Sequence, residues 1–322
     1  MIKHNLKPRL QSQSNAIISA LALAWAESLR ALHSTRIRTY LGAHNGGHLS
    51  ITEIKTTLAA LARAGFVSVE NGWCLLERSA TSLEESITRA KTSARKIRGA
   101  RAVLFLLQAM PFIKAAAITG SVAFGNATKK SDVDVFCVAQ ERRIWTARAG
   151  ALILSELFGR RTERSVRSGK DKLCFNYFAT PDADIPVKNI ASAHMFAEAI
   201  PFFGETEFRQ FLAKNKWMKE FLSGPDDAAH TTPSAHLPGA NGALVFIKTA
   251  IEKTLSGTFG GMVEKTCKTW QMARLSRKIA AGGDVSHFAA NDAVIALHHP
   301  RPKNKEVMKR YRQKMKDLGI FE

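Results

Sequence analysis

Two periods of apolar residues alternate along the chain, and they predict different elements. In the first hundred residues the spacing is helical. Ala16 to Ala26 is almost wholly apolar, and Leu29 and Leu32 continue its face past Glu27 and Arg30, so a buried or amphipathic helix is expected there. Ser50-Ile51-Thr52-Glu53 is a capping box, Ile54, Leu58, Leu61 and Ala62 mark one helical face, and Gly65 stands where a C-cap belongs. Residues 66–70 and 73–77 then read as two strands joined by Asn71-Gly72, the strongest short hairpin signal. Ser82 opens a further helical stretch, one helix or two, to Met110. The period then changes. Ala116 to Thr119 is a short apolar strand, and from Ser131 to Val138 polar and apolar residues alternate as on a half-buried strand. Arg142 to Phe158 returns to a helical pattern, 172–178 reads as a strand, and 190–203 reads as a helix. Residues 223–239 have the Pro, Gly, Ser and Thr content of a linker, and 241–281 are helical again.

Charge adds a class of partner. The 322 residues carry 47 Lys and Arg against 27 Asp and Glu, a formal charge of +20, so polyanions are favoured: a nucleotide, RNA or DNA. The tail 301–316 holds eight basic residues against one acid with Tyr311 among them, and is the best single stretch for phosphate-backbone contact. The basic residues between Arg89 and Arg101 are expected to be a solvated helix face. The four cysteines, Cys74, Cys137, Cys174 and Cys267, are far apart and form no zinc pattern. Cys137 and Cys174 lie in apolar runs, where a thiol behaves as a small core residue. A reducing compartment, the cytoplasm, is the expected setting. The polar stretch 11–15 separates the basic start from the apolar run and spoils a signal-peptide reading, and no apolar run is long enough to span a membrane.

The chemistry gathers between residues 116 and 138. The strand runs into Gly120-Ser121 and a short helical stretch, so free backbone N–H groups face the turn, a ready phosphate cradle in which Ser121 adds a hydroxyl. Asp132 and Asp134 share one face of the following strand. Two carboxylates so close repel unless a cation lies between them, and oxygen donors suit Mg²⁺, or Mn²⁺, which also bridges nucleotide phosphates. Metal-assisted phosphoryl transfer is the reading these residues support. Lys129 and Lys130 in the intervening loop are placed to screen phosphate charge.

The run Gly120-Ser121, then Gly125, then Ser131-Asp132-x-Asp134 resembles the signature of the DNA polymerase β-like nucleotidyltransferase superfamily. The resemblance implies that Gly120 and Ser121 hold a nucleoside triphosphate, that Asp132 and Asp134 are the catalytic, metal-binding acids, and that Mg²⁺ (or Mn²⁺) is the cofactor. It also implies a third acid on a later strand. The strand 172–178 is where it belongs, and alternation there puts Lys172, Cys174, Asn176 and Phe178 on one face. Its polar residue is Asn176, which can ligate a metal through its carbonyl oxygen but is no general base, so Asp132, Asp134, Asp171 or a water chain must serve.

The expected fold is α+β: a small mixed-sheet nucleotidyltransferase core flanked by an N-terminal winged-helix-like domain and C-terminal helices. The divisions are 1–78 for the winged-helix-like domain, 79–110 for a helical connector, 111–222 for the core, 223–240 for a linker, and 241–322 for a helical region with the basic tail. The second helix of the first domain carries only Lys55 and Arg63 as basic residues, which favours packing or protein contact over nucleic acid. Trp145 and Arg148, one turn apart, are expected to stack in the core, and His194 with Glu198 to form a satisfied pair on a helix surface rather than a metal site. The expected activity is transfer of a nucleoside monophosphate from a nucleoside triphosphate to an acceptor hydroxyl with pyrophosphate leaving. The competing expectation is a noncatalytic nucleic-acid-binding or regulatory protein that keeps the fold. The acceptor, the preferred base and the oligomeric state are left open by the sequence.

Overall fold

The capping box at Ser50 does what its spacing predicts. The Ser50 Oγ accepts from the Glu53 N–H at 3.2 Å and the Glu53 carboxylate accepts from the Ser50 N–H at 2.9 Å. The structure, a computed structural model, describes residues 8–41, 49–77, 79, 82–159, 171–222, 241–280, 289–297 and 304–320; the linker expected over 223–240 lies outside these. In its first part α1 (Pro8–Ser28), β1 (Leu32–His33), α2 (Ile37–Tyr40) and α3 (Ile51–Arg63) precede a hairpin of β2 (Val67–Glu70) and β3 (Trp73–Leu76). Asn71 and Gly72 turn the hairpin with φ of 50° and 81°, and β1 adds to β3, giving the order β1-β3-β2. Ile17, Ile18, Leu21, Leu58, Val67 and Cys74 fill the core beneath.

α1 is buried along much of its length because a second helix covers it. The C-terminal helix, labelled α11 here (Asn304–Asp317), lies against it: Met315 enters the same core, and Tyr311 Oη bonds Ser19 Oγ at 2.8 Å. Arg310 donates to the Ala26 carbonyl at 3.1 Å and Lys314 to the Glu77 carbonyl at 2.8 Å. The basic tail is therefore partly structural, and Lys314 is 3% exposed.

α4 (Leu83–Leu106), capped by Ser82, leads to a six-stranded sheet of order β7-β4-β5-β6-β9-β8. Its strands are β4 (Ile113–Thr119), β5 (Val133–Ala139), β6 (Leu173–Ala179), β7 (Ile200–Phe203), β8 (Ala289–Ala290) and β9 (Val294–Ala296). β4 and β5 are antiparallel. β5 and β6 are parallel, which requires a crossover, and α6 (Ile144–Leu157) lies between them in the chain. One face of the sheet packs on α4 and α6 through Val103, Leu104, Ile118, Val135 and Trp145. The other packs on α7 (Ile190–Ala197) and α8 (Glu205–Lys214), where Phe136 meets Phe196 edge-on at 5.1 Å between ring centroids. The Gly120-Ser121 turn opens α5 (Gly120–Ala123), which lies between β4 and β5 in the chain.

Three expectations are corrected by these elements. The helix read over 190–203 stops at Ala197, and 200–203 form β7; Pro201 has no N–H for a helix but fits an edge strand. The C-terminal region read as helical contains α9 (Gly242–Thr254) and α10 (Gly257–Ala280), and then supplies β8 and β9, too short to show a period. On β6 the alternation breaks. Asp134 pairs with Cys174 but Phe136 pairs with Tyr177, so three residues of β6 oppose two of β5. Phe178 consequently joins Phe175 in the α4/α6 core, away from the face of Cys174 and Asn176. Trp145 is fully buried as expected, though its partners come from α10 and the β8–β9 turn. Its Nε1 donates to Asp292 at 3.0 Å, and Glu264 accepts the backbone N–H groups of Trp145 and Thr146 at 2.9 and 2.8 Å, an acid at the start of α6. Among the described residues no helix is long and apolar enough to cross a membrane.

Candidate nucleotide and metal site

Gly120 is required where it stands. Its φ is +67°, and a Cβ built on it would lie 2.5 Å from Asp134 Oδ2, so the turn approaches the acid more closely than any side chain allows. Beyond the turn, the last carbonyls of α5 are held by the N-terminal part of the chain. Arg30 donates to the Phe124 carbonyl at 2.6 Å and Arg36 to the Ala123 carbonyl at 3.1 Å. Asn126 donates to the Ser28 carbonyl at 2.9 Å and accepts from Arg89 at 3.0 Å. The Gly120-Ser121 turn is thus braced from outside the sheet that carries it.

Both arginines converge on Glu198, at 3.0 Å from Arg30 and 2.7 Å from Arg36. Burial opposes the charge of Arg30, but Glu198 and Tyr40 outweigh it and its pKa rises further. Burial likewise opposes the Glu198 charge, and the two arginines still hold its pKa below the ordinary carboxylate value. His194 bonds Glu27 of α1 at 2.7 Å and is fully buried. The surface pair expected of His194 and Glu198 is therefore corrected: the two point to different partners, and both tie α7 to the N-terminal part.

The acids do come together. Asp132 lies just before β5 and Asp134 within it, and with Cys174 of β6 their ligand atoms all fall within 4.8 Å of one another. Burial pushes the Asp134 carboxyl up to about 7, the neighbouring Asp132 charge adds to this, and a bond from the Cys174 thiol works against it. Asn176 donates its amide to the Cys174 sulfur. The third donor of the cluster is thus Cys174, which the sequence reading treated as a core thiol. Asn176 supports it.

A cavity of about 370 Å³ opens on this cluster and is lined by Gly120, Ser121, Asp134, Cys174 and Asn176 on one part and by Glu27, Met195 and Val307 on another. Lys129 and Lys130 are exposed and are not among the lining residues. Lys96 does what the charge pattern gave no sign of: it is buried, and its Nζ donates to Ser131 O at 2.7 Å, Lys129 O at 3.3 Å and Asp171 Oδ1 at 3.0 Å. Two of the ammonium donors fix the loop that ends at Asp132, and the third ties it to Asp171, just before β6. A lone lysine at an inward helical position, rather than a solvated one, was the available signal.

The residues fit a divalent cation. Two carboxylates and a thiol within 4.8 Å can reach one ion at ordinary ligand distances of roughly 2.0–2.4 Å. Gly120 leaves Asp134 Oδ2 clear of side chain on the side of the turn. No curated protein and no solved structure matches the chain. Residues 99–191, from the second half of α4 through β4, the Gly120-Ser121 turn, both aspartates and β6 to the start of α7, match the nucleotidyltransferase domain family, consistent with the polymerase β-like resemblance of their motifs.

Proposed function

We propose that the protein is a metal-dependent nucleotidyltransferase that moves a nucleoside monophosphate from a nucleoside triphosphate to an acceptor hydroxyl and releases pyrophosphate. The observation that carries this is the joining of the Gly120-Ser121 turn and the Asp134/Cys174 donors in one cavity, with Asp132 completing the cluster. The backbone N–H groups and hydroxyl of Ser121 would bind phosphate oxygens. Asp132, Asp134 and Cys174 would hold the ion, and Asn176 would keep the Cys174 sulfur oriented through its amide. When bound, the cation neutralises charge on the triphosphate and polarises the α-phosphate. A sulfur ligand favours Mn²⁺ over Mg²⁺ as that ion, since Mg²⁺ prefers oxygen alone. In the transfer the acceptor oxygen bonds the α-phosphorus, the bond from that phosphorus to the β-phosphate oxygen breaks, and pyrophosphate leaves with the electron pair. The exposed Lys129 and Lys130 would act on the field at the entrance. The divisions 1–78, 79–110, 111–222, 223–240 and 241–322 remain our reading of the units, the first winged-helix-like, with α11 packed on it. The free cysteines support a reducing, cytoplasmic setting.

The test is incubation with each α-³²P-labelled nucleoside triphosphate and Mg²⁺ or Mn²⁺. Total RNA, whole-cell protein and a deproteinised small-molecule extract serve as acceptors, and the Asp132→Asn/Asp134→Asn variant serves as control. Label moves with the wild type and falls at least about 1,000-fold in the variant, as expected when groups that stabilise transition-state charge are lost. Tight binding to RNA or DNA without transfer under any condition replaces this reading with the noncatalytic one, which Asn176 in place of an acid favours.

A further inference from the structure

Nucleotidyl transfer needs a group to take the acceptor's proton, and β6 offers none. Asn176 has no acid–base capacity at that position. Asp171 is joined to Lys96 at 3.0 Å and is not among the residues lining the cavity. Asp132 and Asp134 belong to the cation under the reading above, on which this inference rests. The cavity nevertheless has a second carboxylate. Among its described lining residues the carboxylates are Asp134 and Glu27, and Glu27 comes from the last turns of α1, outside the matched domain.

Glu27 is built into that wall. Its side chain is 8% exposed, and its Oε1 accepts from His194 Nδ1 at 2.7 Å. His194 is itself 0% exposed, with its ring 4.2 Å from the Tyr40 ring between centroids. One oxygen of the carboxylate is thus held by a buried imidazole while the residue lines the cavity. A structural anion with no such task is found on the same helix layer: Glu198, 2% exposed, has each oxygen taken by an arginine and is absent from the lining.

We infer that Glu27 is the catalytic base. It accepts the proton of the acceptor hydroxyl as that oxygen bonds the α-phosphorus, the bond to the β-phosphate oxygen breaks, pyrophosphate leaves, and the proton then passes from Glu27 to water. His194 is a positioning residue that aims the carboxylate. The acceptor accordingly enters beside α1, α7 and α11, where Glu27, Met195 and Val307 form the wall, so the N-terminal part of the chain completes the active site.

The experiment compares wild type with Glu27→Gln in the labelled-nucleotide assay above, using MnCl₂ and the acceptor preparation that wild type labels. Binding of the Mn²⁺-nucleotide complex is read by calorimetry. Glutamine keeps the volume and still accepts from His194, so the thermal midpoint stays near that of wild type. We expect kcat to fall about 100-fold or more, the span of general-base catalysis, with nucleotide binding changed less than about 2-fold. Sodium formate restores part of the rate in Glu27→Ala, which a structural role does not produce. Transfer by Glu27→Gln at the wild-type rate, or loss of nucleotide binding in step with rate, overturns this inference alone. Absence of transfer by the wild type with every acceptor overturns the transferase reading and this one together. If Glu27→Gln fails to fold, Glu27→Asp decides: a kcat loss of about 10-fold at unchanged nucleotide binding supports the base, and a wild-type rate overturns it.

Discussion

Two charged clusters lie on either side of the α5 turn, and they are built on opposite plans. Around Glu198 the carboxylate is fully partnered: each of its oxygens meets an arginine, and the arginines also donate to carbonyls of α5. Around Asp134, among the described residues, no cation is paired with the acids: two carboxylates stand together with a thiol, and the buried Lys96 is turned to Ser131, Lys129 and Asp171. A cluster that is complete within the chain needs nothing further and acts as a brace. An incomplete one calls for a cation from outside. The difference separates structural from functional charge without reference to any relative, and it can be broken at either end.

The largest effect is expected at the complete cluster. Arg30→Met leaves Glu198 buried with one arginine instead of two and frees the Phe124 carbonyl. Breaking a buried pair by removing one member costs about 3–5 kcal/mol. We expect that loss in a urea unfolding curve, together with weaker nucleotide binding, because the turn proposed to cradle phosphate loses a brace. A stability loss under about 1 kcal/mol would show that the cluster is a surface ornament in energetic terms. At the incomplete cluster the expected effect is smaller and more selective. Cys174→Ser removes the soft donor and leaves the acids. Preference for Mn²⁺ over Mg²⁺ should fall by about 10-fold or more, measured as the ratio of calorimetric dissociation constants, with little change in stability. An unchanged ratio would remove Cys174 from the ligand set.

The fold around the turn was legible because its signals are local. The capping box at Ser50, the Asn71-Gly72 hairpin and the period-two run into Asp132 and Asp134 each depend on residues a few positions apart. What was not legible depends on the bulge and on distant contacts. Cys174 reads as a core thiol until the parallel register sets it opposite Asp134. Phe178 changes face because one extra residue enters β6, which no alternation predicts. Glu27, Arg30 and Arg36 look like the polar side of a helical segment, and their partners His194 and Glu198 lie far along the chain. Lys96 sits among basic residues that do face water, and composition gives no means of telling them apart.

The smallest effect sharpens the comparison most, because the two clusters answer pH with opposite signs. Asp134, raised from 3.8 to about 7, binds a proton more readily in the folded chain than in the unfolded one. Its ionisation therefore disfavours the fold, and stability falls as pH rises from about 3.8 to about 7. Glu198 is lowered from 4.5 chiefly by its arginines working against burial. Its contribution is present above 4.5 and is lost as pH falls through the lower folded value. In EDTA, the thermal midpoint should accordingly decline from weakly acid to neutral pH, and Asp134→Asn should flatten that limb while leaving the acid limb in place. Adding Mn²⁺ should flatten it as well, since the cation supplies the charge that the aspartates lack. A limb that persists in Asp134→Asn assigns the decline to other groups, and one unmoved by Mn²⁺ means that the aspartates do not share an ion.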